Sequence, residues 1–214
     1  MTLNIFDLDK TLIDGDSYDL WHEYLLENGI LDESFIAENN KMIELYNKGK
    51  LDMIEYLKFS LTSLKSLNQN EIEKLLPRYL KEKIAPIIYK ESKKWIDELK
   101  PNLIISATPQ YIVAPVAKLL GVKEFIGVKL KCKDGFYTDE FIPPLSYKEG
   151  KVVALQNYIK KHNLKPDKIR FFTDSINDIA LCKFVDEAIC VNPDEKLRKE
   201  ALQNGWQILN LALS

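Results

Sequence analysis

The strongest constraint on how this chain can fold is a switch in hydrophobic rhythm. One short apolar strand is followed by residues 18–83, which read only as helices, and then by alternation of strand and helix to the end. Residues 2–8 alternate and run apolar into Asp7, with the length and period of a strand. In the helical stretch apolar residues recur at helical spacing: Leu20, Tyr24 and Leu25; Phe35, Ile36, Met42, Ile43 and Tyr46; Met53, Ile54, Leu57 and Leu61. Gly29, Gly49 and the polar segment 63–70 are expected loops. Beyond Pro86 the reading is a helix over 87–99, the strand Leu103-Ile104-Ile105, and a helix opening at Thr108-Pro109 with threonine as cap. A hairpin follows over 125–142, turning at Lys133-Asp134-Gly135. Then come a helix over 147–162, the strand Ile169-Arg170-Phe171-Phe172, a helix after Ser175, a strand over 188–191, a helix start at Asn192-Pro193-Asp194-Glu195, and a last strand over 206–209.

Alternation of this kind builds an α/β fold, a doubly wound parallel-sheet core. Residues 1–14 and 86–214 are expected to form that core, and residues 15–85 an inserted helical cap domain. Lys plus Arg number 30 against 32 Asp plus Glu, so no basic surplus exists to bind a phosphate backbone, and no nucleic-acid partner is expected. The longest uncharged run, residues 101–117, holds three prolines and is too short to span a bilayer, so no membrane association is expected. Asp7 and Asp9 interrupt any apolar signal core, which predicts a cytoplasmic protein. Cys132, Cys182 and Cys190 form no CxxC pair and read as core thiols, and His22 and His162 sit in helical patterns as surface or packing residues.

In an open parallel sheet the ligand lies beyond the carboxyl ends of the strands. Four points there carry chemistry. Asp7 and Asp9 are spaced by two, so extended backbone turns both carboxylates to one side. Ser106 and Ala107 precede a helix whose free N–H groups favour an anion. Lys151 opens a helix, with Lys148 as a rival three residues earlier, and Asp174, Asn177 and Asp178 follow another strand. Any one of these has an ordinary reading as a cap, a turn or a solvated face. Falling together at the strand ends of one alternating core, they read as a site. Several carboxylates in one cleft need a hard divalent cation between them, and Asp oxygens suit Mg2+. Ser106 and Lys151 supply the positive side for phosphate oxygens.

These residues resemble the haloacid dehalogenase (HAD) superfamily, whose four motifs match as Asp7-Leu8-Asp9-Lys10-Thr11, Ser106, Lys151 and Asp174-Ser175-Ile176-Asn177-Asp178. A helical insert soon after the first motif looks like the phosphoserine-phosphatase-like branch. Gly15-Asp16-Ser17, Trp21 and Glu149-Gly150-Lys151-Val152 look like its histidinol-phosphatase-type members. Where the family carries glycine before the fourth-motif aspartate, this chain has Thr173. The resemblance implies an Mg2+-dependent phosphatase acting on a small-molecule phosphate monoester. Asp7 would be the nucleophile that forms an aspartyl-phosphate, and Asp9 the acid and base. Asp7, Asp9 (through its carbonyl) and Asp174 would hold the metal, with Asp178 orienting its waters. Ser106, Ala107, Lys151 and Asn177 would contact phosphate, and the insert would close as a lid hinged near residues 14–16 and 83–86.

A phosphotransferase would use the same carboxylates. A receiver-like signalling domain also phosphorylates an aspartate, but it has no use for the helical insert or for Ser106. For the substrate, no arginine occurs before Arg78 to fork a carboxylate as a phosphoserine site would require. Asp14, Asp16 and Asp19 add negative charge beside Asp7 and Asp9, and Asp16 lies where the resembled branch faces the substrate's amino group. Trp21 is a candidate apolar wall. Together these predict a leaving group with an amine or hydroxyls and no carboxylate, histidinol phosphate being the first candidate.

Overall fold

The structure, a computed structural model, describes residues 1–213 apart from Gly49 and Leu51. The loop expected at Gly49 and the side chain of Tyr46 lie outside the described residues. The strands are β1 (Thr2–Phe6), β2 (Asn102–Pro109), β3 (Phe125–Lys133), β4 (Phe136–Ile142), β5 (Lys168–Thr173), β6 (Glu187–Val191) and β7 (Gln207–Leu209). They form one sheet in the order β4-β3-β2-β1-β5-β6-β7. All neighbours are parallel except the hairpin pair β3 and β4.

β1 is central, with Ile5 in register with Leu103 on one side and Phe171 on the other. Its neighbours thus lie on opposite sides, which opens the crevice at its carboxyl end. Both faces are covered. Leu3, Ile5, Leu103 and Phe171 pack on one face, and Phe6, Ile104 and Phe172 on the other, so neither face of the central strands is open to solvent and even Asn4 of β1 is buried.

The insert after β1 holds α1 (Ser17–Glu27), α2 (Glu33–Asn47), α3 (Met53–Ser60) and α4 (Gln69–Tyr79). The later helices are α5 (Lys90–Glu98), α6 (Gln110–Leu120), α7 (Glu149–Lys161), α8 (Ile179–Phe184) and α9 (Glu195–Asn204). The segment 63–70 is more structured than the sequence predicted. Leu61–Leu64 form a 3-10 turn whose leucines are buried, and Asn68 and Glu71 close a capping box on α4. Short-range polarity conceals this because Leu61, Leu64 and Leu67 all face the core.

The insert leaves and returns side by side, with the Asp14 amide donating to the Ile87 carbonyl at 2.8 Å. Its two ends are tied in strongly: Trp21, Tyr24 and Leu25 of α1 and Ile72 and Tyr79 of α4 share one apolar cluster with Phe6, Ile104 and Ile112. α3 is tied more lightly: Met53 and Leu57 pack against Val128 and Tyr147 in a small separate cluster, and the half-buried Tyr56 lies against the main one. Cys182 and Cys190 are buried, but Cys132 is exposed because β3 beyond Val128 projects as a hairpin arm. His22 is fully buried, tilted on Tyr18 at 4.4 Å and on Phe35 at 5.0 Å, and burial lowers its pKa to about 3.

Candidate active site

Beyond β1 the Asp7 amide donates to the Phe172 carbonyl at 2.9 Å, continuing the sheet register for one more residue. The chain then curls instead of staying extended: the Leu12 amide donates to the Leu8 carbonyl at 2.9 Å, and Lys10 takes a φ of 56°. Asp7 and Asp9 line the same cleft through this curl and not through the pleat that their spacing suggested.

Thr108 does not cap the next helix. β2 runs on to Pro109 and α6 begins at Gln110, because a residue before proline is pushed towards extended backbone. Extension puts Ser106 and Thr108 on one face of the strand. Thr108 Oγ1 donates to Asp9 Oδ2 at 2.8 Å and Ser106 Oγ approaches the same oxygen at 3.5 Å, while the Ser17 amide donates to Asp9 Oδ1 at 2.6 Å. Thr108 is therefore a site residue that the sequence reading missed; its signal was the two-residue spacing from Ser106 combined with Pro109.

Lys151 bridges two carboxylates, with Nζ at 2.9 Å from Asp7 and 2.8 Å from Asp178. Burial favours its neutral amine, but Asp178 and Asp7 outweigh burial and hold it protonated. Gly150 lets α7 start this close: a Cβ there would stand 1.8 Å from the Leu145 carbonyl oxygen. Lys148 is outside the cleft, with Nζ 5.1 Å from the Tyr147 ring centroid. Thr173 has an evident use, since its Oγ1 donates to Asp178 at 2.7 Å and accepts from the Ser175 amide at 3.2 Å.

Asp174, Ser106, Ala107, Asp16 and Asp19 also line the cleft. Asn177 is not among the lining residues: its amide oxygen accepts from Tyr147 and its Nδ2 donates to Ser175, so the structure does not bring it to the site. Nor is Trp21, which is buried against Tyr24, Tyr79 and Tyr111 and forms no wall. Asp14 faces away and accepts from the Tyr89 hydroxyl at 2.7 Å. Asp16 caps α1, its Oδ1 accepting from the amides of Tyr18 and Asp19.

Burial pushes Asp7 up to about 6, against the pull of Lys151. Burial, then the charges of Asp16 and Asp7, push Asp9 up to about 7. Asp174 lies well above the usual carboxylate range, through burial and the charges of Asp7 and Asp178. Asp178 and Asp7 share the Lys151 cation and Asp178 also accepts from Thr173, while Asp174 lines the cleft with no ion pair among the described residues. Among the described residues no three carboxylate, imidazole or thiolate groups gather as a metal cluster. Two carboxylates and a main-chain oxygen still suit Mg2+, a hard cation that keeps several positions for water and substrate phosphate.

A sheet with its switch point at β1, and carboxylates, hydroxyls and a buried lysine at its carboxyl edge, is the architecture of a HAD-type hydrolase. The chain belongs to that family: the haloacid dehalogenase-like hydrolase model matches residues 5–183. A histidinol-phosphatase of Neisseria meningitidis serogroup C is 36% identical over 217 residues, covering 97% of this chain and 98% of that protein. A solved protein of unknown function from Bordetella pertussis Tohama I superposes with a TM-score of 0.89 at 27% identity, covering 97% of each chain. A substrate-bound phosphoserine phosphatase shares the fold, with a TM-score of 0.70 at 21% identity over 97% of this chain and 91% of its own. Family and relatives make the chain an enzyme of the phosphoric monoester hydrolase class. Among the described residues no helix is long and apolar enough to cross a membrane.

Proposed function

We propose that the protein hydrolyses a small phosphate monoester whose leaving group carries an amine, histidinol phosphate being the first candidate. The observation that carries this reading is a single cleft in which Asp7, Asp9, Asp174, Ser106 and Lys151 meet Asp16 and Asp19, with no arginine in its lining. A phosphoserine-type carboxylate has no forked partner there. The 36% identical histidinol-phosphatase, which this chain matches along its whole length, supports the same substrate.

In this reading Asp7 attacks phosphorus and Asp9, held by Thr108 and the Ser17 amide, gives its proton to the departing alkoxide and later takes one from water. Asp9 suits the acid role because its pKa lies near neutrality. Ser106 and Lys151 take up charge on the transferring group. Asp7, the Asp9 carbonyl and Asp174 would hold Mg2+, which supplies charge neutralisation at the phosphate oxygens. Residues 1–14 and 86–214 serve as the catalytic core, and residues 15–85 as a cap over it.

The test is phosphate release from a monoester panel, with Mg2+ and with EDTA, for wild type and Asp7→Asn. Release that needs Mg2+ and falls to trace levels in the variant is expected. Turnover retained by Asp7→Asn would remove Asp7 as nucleophile, and a preference for phosphoserine would overturn the substrate. Appearance of phosphate on a second alcohol in place of release would identify a phosphotransferase.

A further inference from the structure

Asp16 has limited capacity for a ligand. Its Oδ1 is occupied by the amides of Tyr18 and Asp19, leaving one oxygen for the cleft. Asp19, three residues on, lies on the same helix face and lines the same cleft. Among the described residues neither carboxylate is in an ion pair, and the cations lining the cleft are Lys10 and Lys151, the second already held by Asp7 and Asp178.

The positioning of Asp19 comes from another helix. Asn39 of α2, buried at 2% exposure, donates its Nδ2 to Asp19 Oδ1 at 3.2 Å. Asp19 Oδ2 has no hydrogen bond among the described residues, and the Asn39 Oδ1 is buried without a donor. Asp19 Oδ2 is therefore free to accept from a ligand in the cleft that Asp19 lines, while Asn39, which is not in that lining, holds the other oxygen. Tyr18, Met42, Met53 and Tyr56 line the cleft with flat and apolar surface that suits a ring.

We propose that Asp19, positioned by Asn39, is a specificity-determining residue that binds a second N–H-bearing group of the leaving group, one helical turn beyond the amine that faces Asp16. The substrate class is then a phosphomonoester with an amine near the ester and a nitrogen ring farther out. This rests on the amine-bearing leaving group proposed above.

Histidinol phosphate and phosphoethanolamine separate the two positions, since both carry the amine and the second lacks the ring. The expected result is that Asp19→Asn lowers the ratio of kcat/KM for histidinol phosphate over phosphoethanolamine by about tenfold or more, chiefly through KM. Asn39→Ala lowers the same ratio by a smaller factor, and Asp16→Asn lowers both rates. Inhibition of p-nitrophenyl phosphate hydrolysis by histidinol weakens in parallel in Asp19→Asn. An unchanged ratio and unchanged histidinol inhibition would overturn the role of Asp19 while leaving the amine reading intact. A wild-type enzyme with no preference for either amine over glycerol phosphate would instead overturn the amine reading, and this inference with it. If Asp19→Asn does not fold, Asp19→Ser and Asn39→Ala decide the comparison.

Discussion

Thr108→Val tests whether Asp9 is held for proton transfer by the strand that follows the insert. Valine keeps the branched shape that β2 requires and removes only the hydroxyl. Thr108 is 6% exposed, so water cannot readily replace the lost donor. Asp9 Oδ2 would keep only Ser106 at 3.5 Å, too long for a good hydrogen bond, while Oδ1 keeps the Ser17 amide at 2.6 Å. A hydrogen bond to a charged group contributes about 1.5–3 kcal/mol. With tenfold in rate for each 1.4 kcal/mol or so, kcat should fall about 10- to 100-fold. KM should move much less, because Thr108 steadies the acid and not the leaving group. Steady-state phosphate release on histidinol phosphate and p-nitrophenyl phosphate measures this, with circular dichroism as a check on folding and Thr108→Ser as the rescue. A folded Thr108→Val enzyme with kcat within about twofold of wild type would refute this role for Thr108.

Two further outcomes follow from the cleft and its cover. Asp7, Asp9 and Asp19 have folded pKa values of about 6, 7 and 8, above their ordinary range, so the folded state binds protons more tightly. Metal-free protein should therefore lose stability as pH rises from about 4 through about 8, and Mg2+ should raise Tm more at the upper end; a Tm independent of pH in scanning calorimetry would contradict this. Because α3 packs mainly through Met53 and Leu57 in a small separate cluster, with only the half-buried Tyr56 against the main one into which α1 and α4 are built, cap motion should be confined to α3 and its surroundings and not hinge at residues 14–16 and 83–86. Hydrogen exchange with and without beryllofluoride should show protection gained over Met53–Ser60 and little change over Ser17–Glu27, and equal change in both would restore the outer hinges.

The two ends of this cleft differ in how far the sequence reveals them, and the reason is where their geometry originates. Asp7, Asp9, Ser106 and Asp174 stand at or just past strand ends, and a strand is marked by its own apolar run, so local pattern was enough to bring them together. Lys151 and Lys148 could not be separated in this way. Their three-residue spacing reads as one helix face, and the choice depends on α7 starting at Glu149, which leaves Lys148 outside the helix, and on a glycine that admits the Leu145 carbonyl. Asn177 and Trp21 carry familiar motif positions, yet tertiary packing turns one towards Tyr147 and buries the other among tyrosines. At the leaving-group end, Asn39 reaches Asp19 from a helix twenty residues away in sequence, and no local pattern marks it. Phosphate chemistry in this chain is thus set by strand termini that can be read one at a time. In the substrate reading proposed above, the choice of leaving group rests on how α1 and α2 pack across each other through Asn39 and Asp19, so the reaction class is legible in the sequence while that choice depends on the fold.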